Sequence, residues 1–515
     1  MPETDQSATI AFLEHGAFAG PVERIDTHAA IVFLEGERAW KMKRAVRFSF
    51  LDFTTLAQRE AAIRAELRLN RRTAPELYRE VVPVTRGDAG LAVGGDGRPV
   101  EWLLAMQRFP DDALYSRIAD RGALSGPLVD ELAATLAAFH DAAEVRRDKG
   151  GLAGMREVVE GNAVDLGRLA GDVLPAQQVE AVTRLSRERL KAATALLERR
   201  RDEGRVRHCH GDLHLRNIVR LGDRPVLFDC IEFNDDFACI DVLYDLAFLL
   251  MDLADRRLAA AAQRLLQGYV EASGEAEGLA LLPLFIGARA AIRAKVEGFA
   301  VAVQADATAA AEHAGLAGHY LDLARRALQP APPRLVAIGG RSGTGKSSLA
   351  AALAPEIGAM PGAVVLRSDV IRKRLLGRAP TERLPEEAYT AEVSGRVFAA
   401  IAERAAVLLG AGQAVIADAV YGHAEQRHAI EAVARRAGVP FTGFWLEAPE
   451  RVLTARVEAR TGDASDADAR VVRLQREIDD SRVAWTRLEA GRPLAEVAEA
   501  ARRALGQENP RGDGT

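Results

Sequence analysis

Cysteine is scarce in this chain. Three occur in 515 residues, Cys209, Cys230 and Cys239, too few and too clustered for a disulfide framework. Their spacing matches no common zinc pattern, so the expectation is small buried thiols. Aromatic residues make up only 5%, while Ala, Leu and Arg dominate, so helix should outweigh sheet. No uncharged apolar run approaches the length of a membrane span, and the first residues, MPETDQSATI, are acidic with no apolar signal core. A cytoplasmic protein without membrane partners is expected. Neither sign of charge is in large excess: the formal net charge is −5 and the pI about 6.1, which leaves no global footprint for nucleic acid. Lysine is rare beside arginine, a genome bias that draws attention to each lysine that remains. No internal repeat is visible.

What is present is the composition of an ordinary globular protein, 48% apolar and 27% charged, in a chain too long for one hydrophobic core. Residues 28–43 read as a hairpin, AAIVFL and RAWKMK around Glu35-Gly36-Glu37. Residues 55–72 show helical spacing with Pro75 beyond. Two further strands, around residues 81–85 and 102–109, flank the turn GGDGRP. From residue 128 to about 205 the pattern is helical with a break near 150–154, and helix returns over 241–329. The segment 329–333, QPAPP, cannot continue a helix and reads as a stiff linker. These boundaries predict a multidomain α/β and α+β chain: a domain over 1–328 with a mixed lobe at about 20–110 and a helical lobe at 111–328, the linker 329–333, a second domain over 334–505, and a disordered polar tail at 506–515.

Gly340-Arg341-Ser342-Gly343-Thr344-Gly345-Lys346-Ser347 fits G-x-x-x-x-G-K-[ST] at every fixed position. A strand-like LVAIG precedes it and a helix-like SSLAAALA follows, the context that the motif requires. Backbone N–H groups of such a loop close around phosphates, so Gly340, Gly343, Thr344, Gly345 and Ser348 are candidate nucleotide contacts. Lys346 is expected to reach the β- and γ-phosphates, and the Ser347 hydroxyl to bind Mg²⁺. A second strand ends before Asp369 and Arg372, three apart on a first helical turn. Asp369 is a candidate proton acceptor, with a helix N-cap as its alternative role, and Arg372 a candidate clamp on phosphate or acceptor. Asp418 ends a third strand, AVIAD, where a metal–water ligand of the Walker B kind would sit. A later helix carries Arg451, Arg456 and Arg460 ahead of the lid-like stretch TGDASDADAR, and Arg456 and Arg460 share one helical face as candidate nucleotide contacts. At these residues the segment 334–505 resembles the zeta-toxin, gluconate-kinase and polynucleotide-kinase branch of P-loop phosphotransferases. The resemblance implies a parallel sheet flanked by helices and phosphorylation of a hydroxyl on a nucleic-acid end, a sugar or a sugar-nucleotide.

A second constellation is His210-Gly211-Asp212-Leu213-His214-Leu215-Arg216-Asn217, followed by a strand ending at Asp229. Asp212 and Asn217 are five apart, the interval of a kinase catalytic loop. Asp229 lies twelve residues further on, where a kinase places a metal-binding carboxylate. The chemistry needs a carboxylate to orient the acceptor hydroxyl and oxygen ligands that hold Mg²⁺ across the phosphates. Lys41 and Lys43 alternate onto one face of their strand, so either can be the phosphate-binding lysine. Its carboxylate partner on the following helix is Glu66, with Glu60 as second choice. The loop is similar to that of aminoglycoside phosphotransferases, H-G-D-x-x-x-x-N. That resemblance, over residues 20–325, implies a bilobal protein-kinase-like fold with Asp212 as catalytic base and Asn217 and Asp229 as metal ligands. His210, Asp241 and Asp245 are expected to brace the loop. Two features of protein kinases are missing: a G-x-G-x-x-G turn over the nucleotide, and D-F-G, since Ile231 stands two past Asp229.

With FLDF and LNRRTAPELY in the first lobe, the whole chain resembles a bacterial family that fuses an aminoglycoside phosphotransferase-like domain to a P-loop kinase-like domain. The resemblance implies a bifunctional phosphotransferase using Mg²⁺ with ATP or GTP. The acceptor would be a small hydroxylated molecule: a sugar, an aminoglycoside-like or a nucleoside-like compound. Two alternatives stand beside it. One domain is catalytic and the other senses nucleotide, or the P-loop domain phosphorylates polynucleotide 5′-hydroxyls, for which the basic helix IRKRLLGR speaks.

Overall fold

Strict alternation in RAWKMK sends Trp40 and Met42 to one face of a strand and Lys41 and Lys43 to the other. In the computed structural model the strand spans Arg38–Lys43, hairpinned to Ala30–Glu35. Trp40 and Met42 enter an apolar cluster with Leu13, Ile31, Phe33, Val84 and Leu103. Residues 5–48, 51–304, 306–379, 381–459, 464–475, 481 and 483–507 are described. They form two compact units, residues 1–161 with 194–252 and residues 162–193 with 253–515.

The first unit opens with a six-stranded antiparallel sheet in the order Val22–Asp26, Ala30–Glu35, Arg38–Lys43, Arg98–Gln107, Tyr78–Gly87, Gly90–Val93. The hairpin and the two later strands follow the sequence reading. The helix Ser7–His15 and the strands Val22–Asp26 and Gly90–Val93 were not legible in it. The helix Leu56–Asn70 starts on a capping box between Thr55 and Gln58. Its inward face carries Arg59, Ala62, Ile63, Glu66 and Asn70, so charged groups are buried along with apolar ones. Arg59 is matched there by Glu101 at 2.9 Å, the pairing that a buried charge requires. A two-stranded ribbon, Ile218–Leu221 with Arg224–Leu227, follows the H-G-D loop and delivers the chain to Asp229.

The second unit holds a five-stranded parallel sheet in the order Val364–Arg367, Val415–Asp418, Leu335–Gly340, Phe441–Glu447, Thr486–Glu489. Strands buried on both faces read as the near-continuous apolar runs LVAIG and VIA, and Val336, Ile338, Ile416 and Phe444 share one core with helices 346–353 and 494–507. The helix Leu494–Gln507 runs two residues into the segment expected as tail; residues 508–515 lie outside the described residues. The helix Ala259–Ser273 belongs to this unit as well and lies along the edge strand. Gln267 both donates to Val365 O and accepts from Val365 N at 2.8 Å, and Gln263 donates to Ala363 O at 2.9 Å. Side-chain amides thus take the place of a sixth strand on an edge that would otherwise be open. Residues 330–334, within the same unit, have no regular structure. Among the described residues no helix is long and apolar enough to cross a membrane.

Candidate active sites

The H-G-D loop is held from behind. Asp245 accepts from His210 N and Gly211 N, both at 2.9 Å, and faces His140 Nε2 at 3.2 Å. Gly211 has φ +84°, and a Cβ there would stand 2.9 Å from Phe237 O, so the position needs glycine on both counts. Leu215 N donates to Asp252 Oδ2 at 2.8 Å. The His210 ring meets Phe228 O at 2.9 Å, and burial drives its pKa down. His210 and Asp245 therefore brace the loop, while Asp241 is bound by Arg200 through two nitrogens at 2.7 and 2.9 Å. The chain so fixed presents Asp212, with 40% of its side chain exposed, to solvent. Asn217 Nδ2 donates to Asp212 Oδ2 at 3.0 Å and to Asp212 O at 2.9 Å, and His214 Nε2 lies 3.4 Å from the same carboxylate.

Asp229 sits in the left-handed region, φ +61°, unusual for a residue with a side chain. Its N–H donates to Tyr78 Oη at 2.9 Å, and its carboxylate lies 2.5 Å from Lys41 Nζ. Lys41 also bonds Glu66 at 2.6 Å. Lys43 reaches Glu66 Oε2 at 2.6 Å and Glu232 Oε1 at 2.5 Å. Glu66 is fully buried, which alone would raise its carboxyl, yet the two ammonium groups hold it down at about 2. Glu60 turns outward to Arg64. Of the two lysines, both meet Glu66, and only Lys41 is paired with Asp229.

In the second unit the strand Leu335–Gly340 turns into the helix Lys346–Leu353 through a loop whose Gly340, Gly343 and Gly345 all have positive φ. At Gly343 a Cβ would meet Leu453 O at 2.7 Å. Thr344 is buried and donates to Arg341 O at 2.7 Å; Ser348 is exposed on the first turn. Lys346 Nζ donates to Arg341 O at 3.1 Å. Ser347 Oγ donates to Asp418 Oδ2 at 2.5 Å, and burial raises the Asp418 carboxyl against the pull of Lys346 and Ser347. Asp369 lies inside the first turn of the helix Ser368–Leu375; the N-cap is Arg367, so Asp369 is not the cap. The Arg372 guanidinium is buried, donates to Ala388 O at 2.8 Å and Ser394 Oγ at 3.3 Å, and lies 4.8 Å over the Tyr389 ring. It thus holds the segment 386–394. Arg456 lies 3.9 Å from the Cβ position of Gly345 and donates to Ala490 O at 2.9 Å. Arg460 and residues 461–463 of the lid-like stretch lie outside the described residues. Further along that stretch Asp466 accepts from Tyr389 Oη at 2.7 Å and pairs with Lys373 at 3.2 Å.

Several contributors had no sequence signal: Tyr78, Asp252, Glu232 and Gln475. The last accepts from Ser342 N at 2.7 Å and donates to Ser342 Oγ at 3.1 Å, inside the G-x-x-x-x-G-K-S loop. The three cysteines are free and buried, and burial raises all their thiols, Cys230 to about 12 and Cys239 to about 11. Among the described residues two other groups bring His, Cys and Asp together. In His140–Cys209–Asp245 the carboxylate is committed to the H-G-D loop. In His208–Asp235–Cys239 the Arg146 guanidinium bridges Asp235 and Cys239 at 3.1 and 3.2 Å, occupying the position of a cation.

Comparison with known proteins matches residues 33–281 to the phosphotransferase enzyme family and residues 335–478 to an AAA domain. Uncharacterized proteins of Mycobacterium tuberculosis and Mycobacterium bovis are 31% identical over 453 residues, 87% of this chain and 88% of theirs. Among solved structures, a choline/ethanolamine kinase family protein from Mesorhizobium loti is similar over 63% of this chain and 99% of its own, at 14% identity and TM-score 0.38. A gluconokinase from Sinorhizobium meliloti is similar over 34% of this chain and 93% of its own, at 25% identity and TM-score 0.26. The two matched segments are the two that carry the H-G-D and G-K-S constellations. The chain belongs to the family of these mycobacterial proteins, and it is a kinase in which a phosphotransferase domain is joined to a P-loop domain.

Proposed function

We propose that the chain is a bifunctional kinase in which each unit moves the γ-phosphoryl group of a bound nucleoside triphosphate to a hydroxyl of a small-molecule acceptor. The observation that carries the reading is the Lys41–Glu66–Asp229 ion-pair chain, coming from a strand, a helix and a loop remote in sequence, beside a loop that fixes Asp212 and Asn217. In the first unit Lys41 binds phosphate oxygens and Asp212 orients the acceptor. The hydroxyl oxygen bonds to the γ-phosphorus, the bond to the β–γ bridging oxygen breaks, and the hydroxyl proton passes to the Asp212 carboxylate. Lys43, buried on Glu66 and Glu232, stays off the nucleotide. In the second unit the loop from Gly340 to Ser348 cradles phosphates, Lys346 swings from Arg341 O to the β- and γ-phosphates, and Asp369 orients the acceptor.

Both sites suit Mg²⁺, on the chemistry of their donors. The carboxylate of Asp229 is 42% exposed, and it would hold the ion with the Asn217 amide oxygen as a second ligand. Ser347 and Asp418 set a hydroxyl and a buried carboxylate oxygen 2.5 Å apart, hard oxygen donors that would hold a divalent cation. When bound, Mg²⁺ supplies charge neutralisation across the phosphates. ATP is the proposed donor at both sites, and sugars, aminoglycoside-like and nucleoside-like compounds the proposed acceptors.

The test is calorimetry of Mg²⁺ and a non-hydrolysable ATP analogue on the full chain, followed by a phosphotransfer screen over those acceptors and 5′-hydroxyl oligonucleotides. Two sites per chain are expected, one lost in Lys346→Ala and the other in Lys41→Ala. A stoichiometry of one, abolished by Lys346→Ala, would remove the kinase reading of the first unit.

A further inference from the structure

The proposed chemistry at the first site gives Lys43 and Glu232 no part, yet they are more deeply buried than Lys41 and Asp229, which do have one. Five side chains form a line of alternating charge: Asp229, Lys41, Glu66, Lys43, Glu232, with successive separations of 2.5, 2.6, 2.6 and 2.5 Å. Side-chain exposure along it is 42, 13, 0, 4 and 5%. Three carboxylates face two ammonium groups, so the line carries one excess negative charge, and its exposed end is Asp229. The other end is fastened to the same turn. Cys230 N donates to Asn70 Oδ1, Ile231 N donates to His210 O, and the next residue is Glu232.

We propose that Lys43 and Glu232 are positioning residues that set how strongly Lys41 holds Asp229, and so how readily Asp229 accepts Mg²⁺; this rests on the nucleotide reading of the first unit. Glu66 is shared by two lysines. While Glu232 takes part of the Lys43 charge, Lys43 draws less on the shared Glu66 carboxylate, Glu66 holds Lys41 more strongly, and the hold of Lys41 on Asp229 is weakened. Without the Glu232 charge, Lys43 claims Glu66, since buried charges at this separation attract strongly. Lys41 then has only Asp229 as a full partner and competes with the metal for its oxygen. Removing both Lys43 and Glu232 charges returns Glu66 to Lys41 and frees Asp229 again. A pair that served only to fill the interior would change stability in both variants and leave the metal response alone.

The experiment uses the full chain in a Lys346→Ala background, which silences the P-loop, and reads the Mg²⁺ concentration that half-saturates binding of a non-hydrolysable ATP analogue, with a thermal melt of each variant. Glu232→Gln is expected to raise that midpoint about 10–100-fold, the range for loss of a group that supports a metal ligand. Lys43→Met combined with Glu232→Gln is expected to return it to within about threefold of the background on the same scale. Glu232→Asp keeps the charge but withdraws it by one methylene, so it gives a smaller rise and serves if the amide variant does not fold. A midpoint unmoved in Glu232→Gln, or in Glu232→Asp where that variant is used, overturns the proposal, as does a double variant no closer to the background than the single. If the background itself binds no nucleotide, the nucleotide reading of the first unit falls, and this inference with it.

Discussion

On the proposed reading, single side chains at Asp212 and Gln475 act in opposite senses: the first would orient an acceptor, and the second holds the loop that would receive nucleotide. Asp212 is fixed by Asn217 at 3.0 Å and left 40% exposed. Asp212→Asn keeps the shape and removes the proton acceptor. The expected result is a loss of about 10²–10⁴ in kcat with nucleotide affinity kept, measured as phosphotransfer by the first site with Lys346→Ala in place. Unchanged turnover would make the first unit a kinase fold without this chemistry. Gln475 uses both ends of its amide on Ser342 inside the P-loop. Nucleotide entering the loop has to displace those bonds, each worth about 0.5–1.5 kcal/mol. Gln475→Ala is therefore expected to tighten nucleotide binding at the second site by about 5–150-fold, since the two bonds together come to about 1–3 kcal/mol and 1.4 kcal/mol is tenfold. Equal or weaker binding in calorimetry would mean that Gln475 stays on the loop around the ligand.

Elements explain which of these residues could be seen in advance. The G-x-x-x-x-G-K-S and H-G-D-x-x-x-x-N runs are legible because one turn supplies all their groups, so the spacing in sequence is the spacing in space. The strand RAWKMK was legible as a strand, and the choice between Lys41 and Lys43 was not, because residues two apart share a face and only tertiary partners tell them apart. Tyr78, Asp252 and Glu232 act through contacts between segments remote from each other or through one isolated polar residue, which no periodicity marks. Arg372 was read from its spacing to Asp369, and the structure shows its donors on Ala388 and Ser394. The H-G-D glycine is the clearest link from element to site. With φ +84° and Phe237 O at 2.9 Å from a Cβ position, Gly211→Ala is expected to cost about 1–2 kcal/mol from the left-handed backbone alone, with the clash added. A thermal melt of the full chain should show the first unit destabilised. An unshifted melt with full activity would mean that the loop relaxes freely, against its four fixed backbone contacts to Asp245, Asp252 and Ala238.

At the scale of the whole molecule, composition and packing mark different places. The Pro-rich segment 329–333 separates the two matched families in sequence. The second compact unit nevertheless runs across it, from residue 253 onward. The physical reason is the edge of the parallel sheet. Val364–Arg367 is the outermost strand, and its outward backbone groups are met by Gln263 and Gln267. The same helix ends where Arg404 and Arg374 donate to Val270 O at 3.2 Å and Glu271 O at 2.6 Å, cations on the negative end of a helix dipole. No sequence rule connects a glutamine pair to a strand about a hundred residues away, which is why the helix was assigned by position alone. A P-loop fragment beginning at residue 334 keeps its motif and core but exposes an apolar, unpaired edge, a template for strand pairing between copies. A fragment of residues 253–507 keeps the cover. We expect the shorter piece to melt lower and to self-associate more in light scattering than the longer one, which lacks residues 162–193 of its unit but keeps the sheet edge covered. Equal melting temperatures and two monomers would show that the P-loop sheet needs nothing from the preceding helix, and that the boundary at 329–333 is the physical one.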